Sequence, residues 1–196
     1  MFFYRGKRGR TPCRAAVRGS TGPDVARERE LLLFHRRQPA DDFAIQLYGR
    51  TAERARAPDL FESCGIPDTL DGRFDALALH AALVVDRLRR EPDGAVLAQA
   101  FFDAMFRHLD LTLREIGVQD LGVGRRIKIM AEGFHGRALA YREALEGGPT
   151  SLAEVLRRNA YGGRPPTDTD KIARLEAHVR GEAERLDRTA RNELIK

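Results

Sequence analysis

The sequence predicts an all-α protein, a single irregular helical bundle with a flexible basic N-terminus and a charged C-terminal helix. Three observations lead there. Apolar residues recur at helical spacing through most of the chain, alternating strand patterns are absent, and all nine prolines fall between the helical patterns and never inside one. At 196 residues the chain is long enough to bury a core without disulfide or metal support. Short connections favour packing of sequence neighbours.

The elements follow in order. Residues 1–37 form a basic leader, with a possible first helix from Pro23 to His35 whose apolar end is Leu31, Leu32, Leu33 and Phe34. Phe43, Leu47, Tyr48 and Ala52 mark a helix beginning near Asp41 or Asp42. The next begins in the stretch from Ile66 to Asp75. Pro67 disfavours helix for Ile66, Asp and Thr side chains there can accept from unpaired N–H groups, and the apolar series Phe74, Leu77, Ala78, Ala81, Val84, Val85 and Leu88 follows.

Leu97, Phe101, Met105 and Leu109, flanked by Phe102, Phe106 and Leu113, give a helix with a wide apolar face. Gly122-Val123-Gly124 reads as a tight helix–helix turn before a helix through Ile127, Met130, Phe134, Ala138, Tyr141 and Leu145, which Gly147, Gly148 and Pro149 end. Ser151 and Glu154 form a capping-box signature for a short helix to about Ala160. After the break Tyr161 to Pro166, Asp170 opens a charged helix to about Glu193. Its thin stripe of Ile172, Leu175, Val179 and Leu186 suits docking along the body or against a partner better than a place in the core. The expected organisation is therefore a leader at 1–37, a domain at 38–162, and a linker with a C-terminal helix at 163–196.

Charge narrows the function classes. The net charge is +5, but residues 1–37 carry +7 and the remainder −2, so the basicity belongs to the leader. A body of that balance does not suit DNA binding. The acid-free segment Met1 to Thr21 reads as a transit peptide or as a tail for an anionic membrane surface. No apolar run approaches the ~20 residues needed to span a bilayer. Cys13 and Cys64 have no ligand-like spacing with histidine, which favours a reducing compartment and no zinc.

Candidate chemistry is sparse. Asp68, Asp71 and Asp75 resemble an aspartate-rich magnesium helix, yet no second acidic motif accompanies them; the plainer alternatives are Asp71 as a cap with Arg73 pairing a neighbouring carboxylate, or a recognition surface. Gly122 to Arg126 fails the dinucleotide fingerprint, although the start of the following helix with Arg125 and Arg126 offers a weak anion site. His80 and His108 lie on helices with no nucleophile beside them, and a haem-ligating role for His135 has little behind it. No metal or cofactor is expected.

Several separated blocks carry a resemblance. They are Phe101-Phe102-Asp103-Ala104-Met105-Phe106, Leu113-Arg114-Glu115-Ile116-Gly117-Val118-Gln119-Asp120-Leu121, and Lys128 to Arg137 with Ala140-Tyr141, together with the acidic helix start at Ile66 to Asp75. In this order the chain resembles the ubiquinol-cytochrome c chaperone family, from roughly Asp41 to Gly162. Gln119 and His135 depart from it, standing where the family usually has a small residue and an aromatic.

The resemblance implies an assembly chaperone and not an enzyme. It would bind newly made cytochrome b for assembly of complex III, with a small partner protein and the ribosome as further partners. A peripheral position at the inner membrane follows, in a bacterial cytoplasm or on the mitochondrial matrix side. The expected binding surface combines Asp68, Thr69, Asp71, Arg73 and Phe74 with an exposed apolar groove at Phe102 and Phe106, joined by Arg114, Glu115, Asp120 and Arg137. The alternatives are a metal-dependent enzyme acting on an isoprenoid or lipid-like substrate, and a lipid-surface adaptor driven by the leader.

Overall fold

A computed structural model describes residues 39–115, 117 and 120–196. The leader and its possible first helix lie outside them. Among the described residues the architecture is helical throughout, and ordered as α1 (Pro39–Arg54), α2 (Pro58–Glu62), α3 (Leu70–Leu88), α4 (Gly94–Glu115), α5 (Asp120–Leu145), α6 (Leu152–Asn159) and α7 (Thr169–Arg188), then a 3-10 turn Arg191–Glu193.

Helix α3 is the hub. It packs on α1, α4, α5 and α7, while α1 also lies along α4 and α6 bridges α5 and α7. Its sequence explains the position, because Ala76, Ala78, Leu79, Ala81 and Leu88 bury apolar surface on more than one face. Thr69 caps it, the hydroxyl accepting from Gly72 N–H at 3.1 Å. Gly72 is required there, since a Cβ at this position would stand 2.0 Å from the Pro67 carbonyl oxygen. The capping role thus belongs to Thr69 and not to Asp71.

Other boundaries follow from local chemistry. Pro39 and Pro58 open their helices, where a missing N–H costs nothing. Gly147, at φ 82°, ends α5 as Gly148 N–H bonds the Glu143 carbonyl at 2.8 Å. Ser151 accepts from Glu154 N–H at 3.3 Å and caps α6.

Three expectations change. The Gly122-Val123-Gly124 segment is helical, because α5 begins at Asp120 and Val123 is fully buried; the chain break falls earlier, at Gly117 with φ 85°. Burial of Val123 outweighs the modest helix cost of its flanking glycines. The anion site expected of a helix start at Ile127 goes with it.

The C-terminal helix is capped by Asp168, ends at Arg188, and turns extended at Thr189. Its thin stripe is core after all: Ile172, Leu175, Val179 and Leu186 are all at most 2% exposed. A narrow stripe measures how much of a helix faces water, and α7 lies on the outside of α3 with that stripe turned inward. Arg87 reinforces the join, donating to the carbonyls of Leu186 at 3.0 Å and Thr189 at 3.3 Å.

Candidate client-binding cleft

Four helices meet in a cleft of about 280 Å³, at the start of α3, the end of α4, the first turns of α5 and the last turns of α1. Its apolar lining comes from Leu70, Phe74, Leu77, Leu109, Leu113 and Met130, with Ala52 and Ala55. Leu70 is 46% exposed and continues the apolar lining out to the mouth of the cleft. Tyr48 and His108 add a polar contact within this lining, with the hydroxyl and Nδ1 2.9 Å apart. Burial raises the Tyr48 phenol above its ordinary pKa, so the hydroxyl stays neutral.

The rim is charged. Asp71 accepts from Arg126 at 3.1 Å across the α3–α5 junction. Arg73 Nε donates to Asp68 at 2.6 Å, and this hydrogen bond holds the Asp68 carboxyl below the usual carboxylate range. Both partners are more than half exposed, so the pair adds little to stability. Arg56 completes the rim.

Asp75 behaves differently. Its carboxylate is buried, and accepts from Arg137 at 2.6 Å and from Gly162 N–H at 3.0 Å. Burial raises its pKa, with the Arg137 charge opposing that shift. Arg137 also lies over the Phe74 ring, 5.6 Å from the centroid. Asp75 therefore ties α3 to α5 and to the chain after α6. The magnesium reading of the three aspartates fails on this geometry, because each is engaged by a different arginine.

The structure brings Asp71, Arg73 and Phe74 into the cleft, with Asp68 and Thr69 adjoining them in sequence and Arg137 behind Phe74. Phe102 and Phe106 are not part of its lining. Their rings pack 4.4 Å apart, and Phe106 is buried, so it offers no groove surface. Half-buried Phe102 stacks on His135 at 5.2 Å in a separate hollow between α4 and α5. That contact occupies His135 in aromatic packing, the role an aromatic residue would have there. Arg114 bonds Asp110 within α4 at 2.8 Å, Glu115 ends that helix and Asp120 opens α5.

Sequence reasoning missed Arg56, Tyr48 and His108. Arg56 carries no local signal, and only the fold brings α1 to the start of α3. Arg126 was visible as part of a basic pair, but its partner stands 55 residues away.

Residues 62–196 match the ubiquinol-cytochrome C chaperone family. The chain belongs to this family. Among its relatives, the ubiquinol-cytochrome-c reductase complex assembly factor 1 of Xenopus laevis is 25% identical over 74% of this chain and 72% of its own length. The factors of that name from Mus musculus and Homo sapiens are each 23% identical over 74% of this chain, which spans about half their length, 49% and 48%. The crystal structure of the Cbp3 homolog from Brucella abortus superposes with a TM-score of 0.67 at 31% identity, covering 85% of this chain and 92% of that one. The relatives from Xenopus laevis, Mus musculus and Homo sapiens are named assembly factors of the ubiquinol-cytochrome c reductase complex, and the family is named for a chaperone, neither of which is an enzyme. Its all-α fold is that of the solved neighbour. Among the described residues no helix is long and apolar enough to cross a membrane.

Proposed function

We propose that this chaperone binds newly made cytochrome b and holds it for assembly of ubiquinol-cytochrome c reductase, with the cleft as its client surface. The observation that carries the reading is an apolar concavity with exposed Leu70 at its mouth and a charged rim. Its α3, α4 and α5 walls all fall within the family match. A holdase needs this combination, because apolar side chains of an unassembled membrane subunit need temporary cover and charges at the rim fix the register. Asp68, Thr69, Asp71, Arg73 and Phe74 form the mouth, Arg137 braces it, and Phe102, with Phe106 packed behind it, gives a second contact patch. Arg114, Glu115 and Asp120 extend the surface along the α4–α5 connection.

The protein works peripherally at the inner membrane, on the cytoplasmic side in a bacterium or the matrix side in a mitochondrion. A small partner protein and the ribosome complete the handover. Deletion of the gene tests the reading: assembled complex III and haem-loaded cytochrome b should fall while other respiratory complexes persist. Normal haem-loaded cytochrome b in the deletion strain would refute it.

A further inference from the structure

The rim of the cleft is not charge-neutral. Its carboxylates are satisfied from within the chain, Asp71 by Arg126 at 3.1 Å and neighbouring Asp68 by Arg73 at 2.6 Å. Arg56 lines the same cleft and has no ion-pair partner among the described residues. One uncompensated guanidinium therefore stands beside an apolar floor that includes Leu109 and Met130. It is exposed in the free protein, where water solvates it at little cost. A partner that covers the cleft removes that water. A purely apolar segment would then leave a desolvated cation unpaired, and a basic segment would add repulsion, whereas a carboxylate would pair with it. The cleft is also concave, so it admits side chains of a peptide segment and not the flat face of a bilayer.

We propose that the cleft docks an amphipathic protein segment whose apolar side chains enter between α3, α4 and α5 and whose Asp or Glu carboxylate pairs with Arg56. This rests on the client-binding reading above and specifies the chemistry of the segment that is bound.

The test uses the full chain and two synthetic amphipathic peptides, one of Leu and Glu and the other with every Glu replaced by Lys, each followed by fluorescence anisotropy. The Leu–Glu peptide should bind at least about tenfold more tightly than its Lys counterpart, and Arg56→Glu should weaken it about tenfold while improving the Lys peptide. Arg56→Glu should keep its helicity and thermal midpoint, since the side chain is exposed. Equal binding of both peptides, or preference for Lys, would overturn the inference. So would binding to phosphatidylglycerol vesicles with neither peptide retained, which would make this face a lipid surface. Capture of solubilised cytochrome b separates the two readings. Equal capture by wild type and Arg56→Glu overturns the role of Arg56 and leaves the chaperone function standing; no capture by wild type, with peptide selectivity intact, removes cytochrome b as the client and leaves the cleft's preference in place.

Discussion

Acidification should loosen the α3–α7 join through one imidazole. His80 is 2% exposed on α3, and its Nδ1–H donates to the Ala76 carbonyl at 2.8 Å. A neutral ring with that proton keeps Nε2 as an acceptor, so the His178 Nε2–H of α7 must donate to it across 3.1 Å. Protonating His80 would remove the acceptor that His178 uses and put two N–H groups face to face. Burial is the larger cause, and with it the His80 pKa falls from 6.5 to about 4; His178 and Arg54 push the same way, while the Ala76 carbonyl and Glu182 oppose.

The sign follows directly. The unfolded chain takes up the proton near 6.5 and the folded chain only near 4, so the stability is complete above 6.5 and is lost as pH falls between those values. The full interval corresponds to about 3 kcal/mol, of which about 2 kcal/mol is lost between pH 7 and pH 5. Urea unfolding of the wild type and of His80→Gln at both pH values isolates this from the other titrating groups. The wild type should lose about 2 kcal/mol more than the variant. Equal losses, or an imidazole resonance of His80 that titrates near 6.5 in the folded protein, would refute the argument.

Three further outcomes are expected. Asp75→Ala leaves Arg137 without its buried counter-charge and Gly162 N–H without its acceptor, and should cost about 2–3 kcal/mol by chemical denaturation, whereas Asp68→Ala, at an exposed pair, should leave the denaturation midpoint close to that of the wild type. Gly72→Ala places a methyl group against the Pro67 carbonyl and should destabilise by about 2 kcal/mol or more; a thermal midpoint equal to wild type would show that the turn opens without strain. Phe102→Ser should reduce cytochrome b capture with helicity kept, while Phe106→Ser, at a buried ring, should lower the thermal midpoint; equal midpoints for the two variants would contradict the burial difference.

Helix existence was legible where one stripe repeats over several turns, as from Phe74 to Leu88, and caps were legible where the side chain itself does the work, as at Ser151. The start of α5 was not, because glycine spacing reads as a turn until the burial of Val123 is known, and that burial is set by neighbouring helices. The rank of α7 was hidden for a similar reason, since periodicity gives the width of an apolar stripe but not what covers it. At the cleft, the α3 side was readable from its concentration of Asp and Arg. The opposite wall was not, because Tyr48, Arg56 and His108 meet it through packing between elements far apart in sequence. Their local sequences contain no trace of that encounter.

The seating of α7 on α3 has a consequence for timing during synthesis. The hub helix leaves the ribosome about a hundred residues before the helix that covers it, so until Ile172, Leu175 and Val179 emerge, the α3 surface around His80 has no lid. A nascent chain stalled after Pro166 should accordingly be cut readily within α3 by added protease, and the full chain should resist.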